Sequence, residues 1–206
     1  MKKNTLIIGI SGPSASGKTL LAKSIINDID SDKIAVITED AYYRDQSNIS
    51  EKLRNKKNYD HPNAFEHCLL FDHLKNMKEG KDIHVPIYDY SNHVRLNKTK
   101  LISSLNILIL EGILIFTDKK IRNIMDIKIF VDTPLDICLS RRILRDIRER
   151  GRDMHFILDQ YRKTVRPMYF QFIEPYKRYA DVIVPQGGEN KIAIGLIIAK
   201  INEILD

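Results

Sequence analysis

Gly12-Pro13-Ser14-Ala15-Ser16-Gly17-Lys18-Thr19 fits the spacing G-x-x-x-x-G-K-S/T at every fixed position. Phosphate chemistry asks for these residue types in this order. The glycines let the backbone curl until successive N–H groups face phosphate oxygens, and the helix that follows adds its positive end. Lys18 is placed to reach the terminal phosphates, and the Thr19 hydroxyl to ligate Mg2+. The pattern carries weight only between a strand and a helix, and the apolar run 6–10 supplies the strand. The expected ligand is a nucleoside triphosphate.

Transfer of its terminal phosphoryl group needs three further things: a shared metal site, cations on the moving charge, and a group to orient the acceptor hydroxyl. Leu108-Ile109-Leu110-Glu111-Gly112 is an apolar run ending in an acid, so Glu111 is expected to join Thr19 at the metal. Thr38-Glu39-Asp40-Ala41-Tyr42-Tyr43 follows the second apolar run. A carboxylate there faces the γ-phosphate, and Asp40 is the expected general base; spacing alone does not separate it from Glu39. Downstream, Arg141, Arg145, Arg148 and Arg152 fall on one face if a single helix carries them, with Gly151 as a hinge. Such a segment, near 141–153, is expected to be a lid. Its guanidinium groups, Arg145 in particular, would stabilise charge on the transferring phosphoryl.

These groups must be held by a scaffold. Five short apolar runs, at 6–10, 34–38, 107–110, 127–131 and 182–184, read as parallel strands covered on both faces. Helical patterns lie between them at 19–29, 64–77, 134–148 and 191–205. Pro134 is expected at the first helical position, and Ile192, Leu196, Ile197, Ile201 and Ile204 on one apolar stripe. The alternation predicts a three-layer α/β fold with a five-stranded parallel sheet. Segment 83–97 breaks the rhythm with Pro86 and a cluster of Tyr88, Asp89, Tyr90, His93 and Arg95, and is expected to form a small β excursion that touches ligand. Ligands of such sheets lie beyond the carboxyl ends of the strands, so the loops there should converge on one cleft.

The 206 residues suit a single continuous domain, 1–206, with 43% apolar residues and no run long enough to span a membrane. Residues 1–5 run straight into the first strand without a small-residue cleavage site, so they are not expected to be a signal peptide. Cys68 and Cys138 have neither disulfide-framework nor metal-ligand spacing, and read as buried thiols of a cytosolic protein. The net charge of +6 is concentrated at 141–152, which suits a local phosphate site better than a nucleic-acid face.

Taken together, these motifs closely resemble the uridine kinase (uridine/cytidine kinase) family of P-loop nucleoside kinases, within the wider phosphoribulokinase group. The resemblance spans nearly the whole chain. It is carried by 12–19, Glu39–Arg44, Asn58–Phe65, Tyr88–Arg95, Leu110–Leu114, Ser140–Asp153, Gln160, Arg166-Pro167-Met168 and 179–188. It implies ATP- or GTP-dependent, Mg2+-requiring phosphorylation of uridine and cytidine at the ribose 5′-hydroxyl. Asp40 matches the catalytic carboxylate. Asp60, Arg142 and Arg152 match ribose- and phosphate-side contacts. Tyr43, Tyr88, His93 and Gln160 match the nucleoside pocket. Feedback by CTP or UTP and a tetrameric assembly are family expectations, and neither nucleic acid nor membrane is an expected partner. Glu39 departs from the family pattern, where an amide is frequent, and its charge is expected to raise the pKa of Asp40. Two other readings stay open. One is a phosphoribulokinase-like enzyme acting on another small-molecule hydroxyl, which would not need Tyr88 and His93. The other is a nucleotide- or RNA-binding regulator, marked by steep salt dependence.

Overall fold

Apolar residues on adjacent strand positions part to opposite faces of the sheet, and this divides the core in two. A computed structural model describes residues 5–29, 33–54 and 56–205; residues 1–4, where no signal peptide was expected, lie outside the described residues. The central sheet contains β1 (Leu6–Ser11), β2 (Ile34–Thr38), β5 (Ile107–Glu111), β6 (Ile127–Asp132) and β7 (Val182–Pro185), all parallel, in the order β2-β5-β1-β6-β7. Ile7, Leu108, Leu110 and Phe130 join one core cluster, and Ile8, Ile107, Ile109 and Ile129 the other. With period two along each strand, the two sets need two separate covers. α3 (His67–Lys78) covers the first through Leu70, Leu74 and Met77. α1 (Lys18–Asn27) and α8 (Lys191–Leu205) cover the second, through Leu21, Ile25, Ile194, Ile197 and Ile201. This is the expected three-layer arrangement.

Short helices α2 (Glu51–Arg54) and α4 (Lys119–Ile124) lie in the connections, α4 capped by the Asp118 carboxylate. The excursion is an antiparallel pair, β3 (Ile83–Asp89) and β4 (Val94–Ile102), longer than the 83–97 expected from sequence. α5 (Leu135–Arg150) carries the arginines and ends at Gly151, whose φ of 60° turns the chain out of the helix. α6 (Met154–Gln160) starts at once on the Asp153 cap. It continues as a wound segment through a π turn at Tyr161–Val165, α7 (Arg166–Met168), a second π turn at Tyr169–Ile173 and a 3-10 turn at Glu174–Tyr179.

Several sequence expectations need correction. Pro134 is the cap of α5 rather than its first helical residue. α3 begins at His67, not at 64, because Phe65 bridges to Tyr43 in extended conformation. On α8 the buried stripe is Ile194, Ile197 and Ile201, while Ile192 is 77% and Leu196 70% exposed. β7 is an edge strand whose Val182 and Ile183 face outward. Cys68 is exposed; only Cys138 is buried. Among the described residues no helix is long and apolar enough to cross a membrane.

Candidate active site

The loop between β1 and α1 closes tightly on the sheet. Gly12 has φ 147°, and a Cβ there would lie 2.5 Å from the Val131 carbonyl oxygen, so only glycine fits. Thr133 Oγ1 donates to Ser16 O at 2.8 Å and fastens the loop to the end of β6. Lys18 is buried, and its Nζ donates to Gly12 O at 3.0 Å and Pro13 O at 2.9 Å. Burial lowers its pKa, and the charges of Glu111 and Asp40 oppose that shift. Thr19 Oγ1 lies 2.9 and 3.0 Å from the two carboxylate oxygens of Glu111. A hydroxyl beside a carboxylate is a hard-oxygen pair of the kind Mg2+ uses alongside substrate phosphates, so the residues fit that ion.

Ser14, Ala15, Gly17, Lys18 and Thr19 line a cleft of about 540 Å³ with Asp40, Glu111, Arg141 and Arg145. The strand-end loops and α5 thus meet where the sheet topology requires. Asp40 faces the cleft from a 3-10 turn, Glu39–Tyr42. Its pKa rises to about 6, chiefly by burial and then through the charge of Glu39. Glu39 itself points inward and is fully buried. Its Oε2 accepts the Leu114 N–H at 2.8 Å, and its Oε1 lies 2.8 Å from His67 Nε2. Geometry therefore separates two acids that spacing could not.

A second cavity, about 760 Å³, is lined by Tyr59, Tyr88, His93, Arg152, Phe156 and Gln160 among others. Tyr90, Glu149 and Arg150 line both spaces, so the two are neighbours across one wall. His93 turns the β3–β4 corner with φ 54°, a left-handed conformation that costs a non-glycine residue on the order of 1 kcal/mol. The ring is set in a stack on Tyr59, centroids 4.4 Å apart and planes 13° apart. Burial, then Arg152 and Arg54, lowers the pKa of His93.

Three expected pocket residues, Tyr43, Asp60 and Arg142, stand behind the wall rather than on it. Tyr43 is packed by Phe65 at 4.3 Å, Tyr88 at 5.1 Å and Tyr59 at 5.4 Å, and lines neither large cavity. Asp60 is buried 3.3 Å from Thr164 Oγ1 and lines, with Ser14 and Arg142, a void of about 20 Å³. Burial raises its pKa, against the pull of Arg142. Arg142 bridges the two halves, donating to Ser14 Oγ at 3.0 Å and Gln160 Oε1 at 2.8 Å.

The four expected arginines do not form one free lid face. Arg141 and Arg145 line the triphosphate cleft with Arg150, and Arg141 also pairs with Glu189 at 2.8 Å. Arg152 lies past the end of α5 and lines the second cavity. Arg148 is exposed. Burial would raise the pKa of Asp146, but Arg145, Arg142 and Arg150 outweigh it and hold the carboxyl below its ordinary value. Sequence reasoning missed Tyr59, Phe156, Asp146 and the shared position of Tyr90. Tyr59, Tyr90 and Asp146 each stood inside a motif, Asn58–Phe65, Tyr88–Arg95 and Ser140–Asp153, whereas Phe156 had no such signal.

Comparison with known proteins agrees with this geometry. The Phosphoribulokinase / Uridine kinase family profile matches residues 7–193. A protein named uridine kinase from Shewanella amazonensis is 52% identical over 204 residues, 97% of this chain and 96% of its own. One of the same name from Salmonella typhimurium is 52% identical over 205 residues, 98% and 96% of the two chains. Among solved structures, a D-glycerate 3-kinase from Cryptococcus neoformans aligns with TM-score 0.61 at 14% identity, over 89% of this chain and 87% of that one. A "possible uridine kinase" from Bacillus stearothermophilus aligns with TM-score 0.60 at 18% identity, over 88% and 89%. At such identities the structures establish only the fold, but the family rests on nearly full-length sequence identity, and the chain belongs to the phosphoribulokinase / uridine kinase family.

Proposed function

We propose that this protein is a uridine/cytidine kinase that transfers the γ-phosphoryl of ATP or GTP to the ribose 5′-hydroxyl, giving UMP and CMP in pyrimidine salvage. One observation carries the reading: a phosphate-binding cleft and an aromatic cavity meet at a common wall, with Asp40 on the triphosphate side. The near-full-length relatives named uridine kinase support the acceptor class.

In this reading Asp40, ionised above pH 6, accepts the hydrogen bond of the 5′-hydroxyl and aims its oxygen at the γ-phosphorus. Lys18, Arg145 and the N–H groups of the Gly12–Thr19 loop hold the phosphates and the charge that develops on them. Thr19 and Glu111 would hold Mg2+, which when bound neutralises charge across the β- and γ-phosphates. Tyr88 and Tyr59 offer the base a stacking surface. His93, neutral near pH 7, donates from one ring nitrogen and accepts at the other, which suits either uracil O4 or the cytosine N4 amine. Arg142, Arg152 and Gln160 hold the ribose side, with Asp60 behind Arg142 and Tyr43 behind Tyr88. We further propose that residues 1–206 act as one domain in the cytoplasm, as a homo-oligomer, with the tetramer as the family expectation, and that CTP or UTP competes with the nucleoside.

The test is phosphate transfer from ATP and GTP to uridine, cytidine, 2′-deoxyuridine and adenosine with and without Mg2+. We expect UMP and CMP, weak use of deoxyuridine, and none of adenosine. Triphosphate binding without transfer to any nucleoside would move the acceptor class to sugar phosphates.

A further inference from the structure

Asp146 sits among the arginines of α5 and is 0% exposed. Its Oδ1 accepts from Arg145 Nε at 2.9 Å and lies 3.4 Å from Arg150 Nη1. Its Oδ2 lies 3.3 Å from Arg152 Nη1 and 3.8 Å from Arg142 Nε. Its backbone carbonyl accepts the Arg152 N–H at 3.0 Å, so the same residue also fixes the chain as it leaves the helix.

These four arginines serve different spaces. Arg145 faces the triphosphate cleft, Arg152 the aromatic cavity, and Arg150 both. Arg142 joins Ser14 of the phosphate loop to Gln160 of the aromatic cavity. Four guanidinium ions this close repel one another, and long side chains have many rotamers in which to part. One buried carboxylate on a short stem ties the four to one another, so that none is ordered independently of the rest. A ligand that fixes any of the four therefore fixes the carboxylate, and through it the other three. The second ligand then meets arginines whose ordering cost has already been met.

We propose that Asp146 is a positioning residue that couples the two halves of the site, so that triphosphate in its cleft tightens nucleoside binding and the reverse. This rests on the kinase reading above, and by linkage the factor must be the same in both directions.

The test measures the uridine Kd by calorimetry with and without Mg2+ and a non-hydrolysable ATP analogue, for the full-length protein and Asp146→Asn. We expect the analogue to tighten uridine binding on the order of 10-fold in the native protein and less than about 2-fold in Asp146→Asn. The readout is a ratio, so a general weakening by a merely structural defect cancels. If Asp146→Asn does not fold, Asp146→Glu, which keeps the charge but shifts it by a methylene, is measured instead, and its ratio must also fall. A native ratio near one overturns the coupling, as does an undiminished ratio in a folded variant. Absence of uridine binding to the native protein, with or without the analogue, overturns the acceptor assignment instead.

Discussion

At the scale of single residues, Asp40 shows what the proposed chemistry asks of the fold. Burial, and then Glu39, lifts its pKa from 3.8 to about 6. A folded-state pKa above the unfolded value means that the folded protein binds the extra proton between pH 4 and 6. Stability therefore rises as pH falls through that window, and the ionised form carries a cost above it. Asp40→Asn removes the cost, so we expect the variant to be more stable than the native protein by about 1–2 kcal/mol at pH 8 and equal to it below pH 4. Its transfer activity should drop by about 100-fold or more, since it loses the acceptor for the 5′-hydroxyl proton. Urea titrations at the two pH values beside a rate assay decide this, and a variant that is destabilised at pH 8 would contradict the burial argument. His93 makes a different prediction. His93→Ala should raise the nucleoside KM about 10-fold or more while leaving the triphosphate KM unchanged, because the ring faces only the aromatic cavity. That Asp40 and His93 face the cavities could be read from sequence, because one stands at a strand end and the other in a motif of the β excursion. Glu39 could not be told from its neighbour, since whether a side chain points into a 3-10 turn or out of it depends on what lies beneath.

At the scale of elements, the Glu39–Tyr42 turn is held from below. Glu39 joins it to the Leu114 N–H after β5 and to His67 at the start of α3. Burial alone would lower the pKa of His67, but its bond to Glu39 and the charge of Glu39 raise it. Glu39→Ala leaves the Leu114 N–H without its acceptor and should cost about 1–3 kcal/mol. Glu39→Gln keeps that bond through the amide oxygen but removes the charge that raises the Asp40 pKa. The acidic limb of kcat/KM should then move to lower pH, and a limb that stays in place would mean that Glu39 has no electrostatic hold on Asp40. The strands and α1, α3 and α8 were legible because their apolar spacing follows simple periods of 2 and 3.6. The stretch after Asp153 was not. Its buried residues Val165, Tyr169 and Ile173 recur every four positions through two π turns, whereas Phe156 and Phe170 are about half exposed, so the apolar residues do not mark one buried face. Phe156 of the aromatic cavity opens this stretch, which is why it escaped notice.

At the scale of the whole molecule, the charge balance separates the two ligands. The chain carries +6, and Arg141, Arg145, Arg150 and Arg152 line the two cavities. A nucleoside triphosphate is a polyanion, whereas uridine has no charge, so the long-range field acts on only one of them. Saturating either ligand stabilises the folded state by mass action, about 2.7 kcal/mol at one hundred times its Kd. For a chain of this length that corresponds to a rise in Tm of roughly 5–11 °C. We expect both ligands to produce such a rise in dilute buffer. At 0.5 M salt the Debye length shrinks to a few Å, and the triphosphate Kd should weaken by an order of magnitude or more. The uridine Kd should change little, because stacking on Tyr59 and Tyr88 and short hydrogen bonds at contact distance are not screened. Thermal shifts recorded across a salt series for each ligand measure the two slopes. If uridine were as salt-sensitive as the triphosphate, salt would be acting on the arginines that line the cavities rather than on ligand charge, and the separation of the two ligands by charge would fail.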